Sequence, residues 1–171
     1  MAYITPSPGN SSYQVTVKLD IAPSDFANGA ANTSITTNAV SLPALQNITI
    51  NASNDIFTWS QLDSAAKKSI ATTSTNSMSM NIVVDNATFF GTNLASTSGN
   101  VAVQGLLGLS RNKQLVNFSV RADGSDTTYI KGQGYITGIA PAVTAEQPVW
   151  VSPLNIAVTG DFVTAATESL Y

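Results

Sequence analysis

Residues 129–162 read YIKGQGYITGIAPAVTAEQPVWVSPLNIAVTGDF, and the fold class turns on how this stretch is read. Tyr129 to Gly138 forms a strand punctuated by Gly132, Gly134 and Gly138. Leu154, Ile156 and Val158 then alternate with Asn155, Ala157 and Thr159 until Gly160-Asp161 ends the run. Apolar residues at every second position mark one buried face, because side chains alternate across a strand. The glycines remove side chains where another backbone must come close or the sheet must bend. A polar connection carrying Pro141, Glu146 and Pro148 joins the two strands. Two long strands, one bent and one interrupted at Pro153, predict a curved sheet paired with neighbours on both sides.

Working outward, the same alternation recurs. Tyr13, Val15, Val17 and Leu19 alternate with Gln14, Thr16, Lys18 and Asp20, and Met78, Met80, Ile82 and Val84 with Ser79 and Asn81. Shorter strand signals lie at Leu45, Ile48 and Ile50 and at Ile56 to Trp59. Val101–Leu109 and Leu115–Arg121 bracket Ser110 to Lys113 and predict a hairpin. Residues 60–72 predict the one packed α-helix: Ser60 as N-cap, Asp63 three residues on, and Leu62, Ala65, Ala66, Ser69 and Ile70 on one face. Residues 1–12 read as an extended N-terminal arm, 85–100 as loop, and 163–171 as a C-terminal tail without periodicity. Residues 21–40, with little periodicity, read as a loop long enough to expect a function of it. The expectation is a mainly β, single-domain β-sandwich or open barrel, 1–171, with one packed helix.

Composition narrows the function. Only 10% of the 171 residues are charged, against ~25% in an average soluble domain, so Ser, Thr, Asn and Gln must supply the polar surface. The net charge of −3 and seven scattered basic residues argue against phosphate binding, which needs clustered Lys and Arg. With no His and no Cys, neither a His-based triad nor a Cys/His zinc site can be assembled. No lysine stands in a Ser-x-x-Lys setting, and Gly-x-Gly at 132–134 lacks the helix that a phosphate loop requires. Asp123, Ser125 and Asp126 have oxygen ligands for calcium but read as a turn. The six Asn-x-Ser/Thr triplets, Asn10, Asn32, Asn47, Asn51, Asn86 and Asn117, read as chance products of an Asn- and Thr-rich chain. No secretory leader and no apolar run of the ~20 residues a membrane anchor needs is visible, so a soluble protein made in a cytoplasm is expected. No catalytic set, cofactor or metal site is expected.

The succession of strand, Gly-Gln-Gly-Tyr-Ile-Thr-Gly at 132–138, Pro-containing connection, Val149-Trp150, alternating strand and Gly160-Asp161 resembles the C-terminal part of bacteriophage major tail tube proteins. The likeness extends over roughly 100–163, which would be the last strands of such a subunit. It implies a virion structural protein of the phage tail, a hexameric ring stacked into a hollow tube, contacts with other tail proteins, and genomic DNA passing through the lumen without specific binding. The alternatives are a capsid decoration protein or fibre subunit, and a carbohydrate module in which Trp59 and Trp150 stack on sugars. Against the last, both tryptophans sit in apolar, strand-like settings that predict core packing.

Subunit contacts, rather than a pocket, are therefore expected to carry the function. The candidate interface residues are Phe26, Ile35 and Leu42 in and beside the 21–40 loop, Gly132 and Gly134 where backbones approach closely, and Phe162. A loop of small polar residues cannot bury enough apolar surface to order itself, so 21–40 is expected to order against a neighbouring ring with Phe26 as anchor. A lumen that passes DNA is expected to be neutral to acidic, since cationic walls would hold phosphates.

Overall fold

The computed structural model describes residues 15–21, 38–42, 45–63, 66–96, 100–121, 128–145 and 148–167. The strands are β1 (Thr16–Ile21), β2 (Val40–Ser41), β3 (Leu45–Ser60), β4 (Lys67–Val83), β5 (Leu115–Arg121), β6 (Tyr129–Ile139) and β7 (Val151–Ala165), and the alternating runs around 16–20, 78–83 and 154–158 fall within them. They form one seven-stranded sheet in the order β2-β1-β5-β6-β7-β4-β3, with antiparallel neighbours throughout. The protein is mainly β, as the periodicity indicated. Its second layer consists of helices, not of a facing sheet.

The helices lie elsewhere than the sequence suggested. The described residues of 60–72 are not helical: β3 runs to Ser60, and β4 begins at Lys67, paired Ser60↔Lys67 and Trp59↔Lys68. The helical face proposed there was mostly Ala and Ser, with little to bury. The Ser/Thr run at 72–75 favours a pleated strand. Conversely, 101–111 is not the first strand of a hairpin but α2 (Val101–Arg111), preceded by α1 (Asn86–Phe90) in the segment read as loop. Two side-chain caps start these helices. The Asp85 carboxylate accepts from the backbone N–H and hydroxyl of Thr88, both at 3.0 Å, and the Asn100 side chain accepts from Ala102 N at 2.9 Å. Gly105 breaks α2 with φ 68°, and Gly91 closes α1 with φ 63°. The two glycines meet backbone to backbone, so a methyl group on either would overlap the other's main chain.

The helix pair covers one sheet face. Val17 and Leu19, Val116, Phe118 and Val120, Ile136, Leu154 and Ile156, and Met78, Met80 and Ile82 bury there with Phe89, Val101, Leu106 and Leu109. Gly132 lies directly beneath the Phe118 ring, where any Cβ would collide with it, and Phe162 meets the same ring edge-on at 6.1 Å. The opposite face is polar. Over β1, β5 and β6 it is also buried: Asp20, Asn117, Ser119, Lys131 and Gln133 are each at most 2% exposed, and Gln133 Nε2 donates to Asn117 Oδ1 at 2.8 Å. Over β3, β4 and β7 it is open, presenting Thr49, Asn51, Ser79, Asn155 and Thr159 to solvent.

Candidate assembly surface

β3 and β4 are far longer than their neighbours require. β4 pairs with β7 only from Ser77 to Val83, whereas its pairing with β3 continues from Asn76↔Ala52 out to Lys67↔Ser60. Among the described residues no third strand joins this part. At ~3.3 Å per residue, Ala52 to Ser60 makes a two-stranded arm about 30 Å long. Cross-strand polar contacts hold it: Thr72 and Thr73 hydroxyls donate to the carbonyl and carboxylate of Asp55 at 3.1 and 3.0 Å, and Thr58 and Ser69 hydroxyls lie 3.1 Å apart. The register slips between Asn54 and Ile56, a bulge that increases local twist.

The outer end of the arm is apolar and uncovered. Phe57 opposes Ile70, and Phe57 stacks on Trp59 with ring centroids 6.0 Å apart. Phe57 is 59% exposed, Ile70 56% and Ile56 65%, and Leu62 in the turn is also fully exposed. Phe57 and Trp59 share one side of the ribbon, while Ile56 and Thr58 take the other. An isolated two-stranded hairpin is marginally stable in water, and an exposed cluster of this kind marks a contact surface. The flanking charges, Asp55, Asp63, Lys67 and Lys68, are exposed around the tip. A smaller apolar group, Val143, Val149 and Trp150, is exposed in the β6–β7 connection. Trp150 is thus not a core residue. It precedes β7 and stands outside the ladder, although its carbonyl accepts from Val84 N at 2.9 Å.

Of the six residues expected at an interface, Phe26 and Ile35 lie outside the described residues. Leu42 is a core residue of the subunit, 6% exposed, with its N–H donated to Val17 O at 2.8 Å. Gly132 and Gly134 are buried in β6, where the backbones and rings they admit belong to the same chain. Phe162 is half-buried against Phe118. None of the arm-tip residues Ile56, Phe57, Trp59 and Ile70 was expected at an interface: Trp59 was expected in the core and Ile70 on a helix. Their signal was present in the alternation of Ile56–Trp59 followed by a turn and a Ser/Thr-rich run, but the helix assigned to 60–72 concealed it.

Nothing in the described surface resembles a catalytic site. A cleft of about 490 Å³ is lined by Val15, Thr16, Leu42, Leu45, Gln46, Asn47 and Ile48, without an acid, base or nucleophile assembly. Among the described residues no group of three or more Asp and Glu side chains is placed to hold a metal ion, and the Asp123–Asp126 turn lies outside them. Among the described residues no helix is long and apolar enough to cross a membrane.

The fold has counterparts among solved structures. A chain from the tail of an empty gene transfer agent particle, refined with helical C6 symmetry, superposes with a TM-score of 0.60, covering 89% of this chain and 96% of that one at 15% identity. The SPP1 tail tube, determined by solid-state NMR and cryo-EM, gives a TM-score of 0.57, covering 88% of this chain and 76% of that one at 13% identity. A chain from the sheath/tube terminator of an extracellular contractile injection system gives 0.55, covering 96% and 99% at 10% identity. No family model and no curated protein matches the sequence. The fold is therefore one that occurs in phage-like tails and injection-system tubes.

Proposed function

We propose that this chain is a structural subunit of a phage tail tube. It assembles with copies of itself into hexameric rings, which stack into a hollow tube, join other tail proteins, and let genomic DNA pass. Its place is the virion tail, and its role is not enzymatic. The carrying observation is the unsupported arm. A ribbon about 30 Å long, tipped with Ile56, Phe57 and Ile70 exposed to water and with a half-buried Trp59, has a stable environment only against another surface. A second copy is the partner best matched to it, because tip and body of one chain then meet head to tail. Such heterologous contacts close into rings or propagate as helical tubes. The fold likeness to a tail chain in a C6 particle supports sixfold closure. The open, uncharged strip of Thr49, Asn51, Ser79, Asn155 and Thr159 suits a wall that DNA must slide along without being held.

Negative-stain electron microscopy of the purified protein, with and without the arm, tests this reading. Tubes or stacked rings are expected from the full chain, and discrete folded subunits from a variant in which residues 53–74 are replaced by a short turn. Isolated globules at every concentration of the full chain would sink the proposal. Trimeric knobs would point instead to a decoration protein.

A further inference from the structure

We infer that a polar clasp at the root of the arm, built by Asn76, Ser74 and Asp161, sets the direction in which the arm projects. This inference rests on the proposed role of the arm in assembly. The sheet forks where β4 leaves β7. Beyond Ser77↔Ala157 the first ribbon, β3–β4, continues alone, while β7 passes through Gly160 and re-pairs with β6 from Val163↔Lys131. Nothing in the backbone ladder ties the two ribbons together past this point. Side chains do so instead. Asn76 Nδ2 donates to the Gly160 carbonyl at 2.8 Å and to Asp161 Oδ1 at 3.3 Å, and Ser74 Oγ donates to the same carboxylate oxygen at 2.9 Å.

The local geometry serves the clasp. Gly160 has φ 82°, a left-handed conformation that kinks β7 and turns its carbonyl and the next side chain toward β4. A Cβ at Gly160 would meet nothing within 4 Å, so the backbone angle, not space, calls for glycine there. Asn76 is 7% exposed among otherwise open arm residues, and on β4 it continues the inward-facing series of Met78, Met80 and Ile82. It stands where the apolar packing of that face ends and the arm begins. A hydrophobic residue here would pack, but it could not grip the carbonyl and carboxylate across the fork. Asn76, Ser74 and Asp161 are positioning residues: they act by fixing where Phe57 and Trp59 are presented.

The test uses the absence of native cysteine. Spin labels on Ser60→Cys at the arm end and Ala102→Cys on α2 report the arm-to-body distance in dilute, unassembled subunits. The unaltered clasp is expected to give one narrow distance distribution. Asp161→Ala, which removes the shared acceptor of two hydrogen bonds, is expected to broaden it and to slow tube nucleation about tenfold. Asp161→Asn keeps an acceptor oxygen and is expected to restore both readouts. The rescue assigns the effect to the acceptor oxygen rather than to the charge, and the width of the arm-to-body distance distribution is the readout that subunit stability alone does not move. Ser74→Ala, at an exposed position, is the second variant should Asp161→Ala fold poorly, with a smaller broadening expected. A narrow, unshifted distribution in Asp161→Ala or in Ser74→Ala overturns the clasp. Narrow wild-type distances without any tubes would overturn the assembly role and leave the clasp standing.

Discussion

Truncating Phe57 to alanine isolates the energy that the arm tip contributes to assembly. The ring is 59% exposed in the subunit. A phenylalanine buries roughly 200 Å² when fully enclosed, so roughly 120 Å² remains to be covered by a neighbour. At about 25 cal/mol per Å² this amounts to about 3 kcal/mol, and the retained Cβ lowers the loss on truncation to about 2 kcal/mol per contact. Each 1.4 kcal/mol is a tenfold change in an equilibrium constant, so one contact weakens roughly 30-fold. Phe57→Ala is therefore expected to raise the critical concentration for tube formation by at least that factor, more where several contacts form together. Pelleting of tubes across a concentration series reads it directly. Thr58→Ala, on the other side of the same strand, is the control and is expected to pellet like the unaltered chain. The subunit itself should keep its circular dichroism and melt within about 1 kcal/mol, since Phe57 loses only its stack on Trp59 and its contact with Ile70. A critical concentration within twofold of the unaltered protein would refute the reasoning.

Four further outcomes are expected. Gly132→Ala drives a Cβ into the Phe118 ring and should destabilise the subunit by about 1–3 kcal/mol in urea unfolding. Leu42→Ala should cost about 2–5 kcal/mol of subunit stability in thermal melts, because its side chain is in the core. The cap hydrogen bonds from Thr88 hold the Asp85 carboxyl below its ordinary range. Its stabilisation of α1 is therefore present above the unfolded pKa, on the order of pH 4, and lost as pH falls through the lower folded value. Asp85→Ala should remove that acid-dependent component from pH-resolved melts. Deleting Ser24–Thr37, with Phe26, should leave a folded subunit that stacks poorly, judged by tube length in micrographs.

Strand positions were legible because a sheet buried on one face writes its own period. Leu154, Ile156 and Val158 and Met78, Met80 and Ile82 could not be read otherwise, and they pair in register, Met78↔Ile156 and Met80↔Leu154. The helices were illegible for a matching reason. Gly105 splits α2 with an extended ψ of 171°, so neither half is long enough to display a 3.6-residue period, and Val101-Ala102-Val103 imitates a strand. At 60–72 the opposite error arose, because a cap-like Ser60 and scattered alanines satisfy a helical template that nothing is available to bury. The polar residues Asn117 and Ser119 hide a second burial. Their alternation with Val116, Phe118 and Val120 reads as a solvent-facing side, yet they are at most 1% exposed.

The interface was the least legible part, and the reason is physical. Sequence patterns report what a chain buries within itself, whereas an assembly surface is apolar where the isolated chain keeps it wet. Leu42, Gly132 and Gly134 looked like contacts because they are small or apolar at unusual places, and their close neighbours in the subunit are their own core. Phe57, Trp59 and Ile70 looked like ordinary strand and helix residues, and only their distance from the third strand separates them from the core. What distinguishes the arm is thus a mismatch of lengths. β3 and β4 continue together past the last pairing of β4 with β7, and no local propensity encodes that excess. It becomes visible when register is known, and it is this excess, with Phe57 and Ile70 left exposed, on which the proposed docking of the ribbon's far end against another subunit rests.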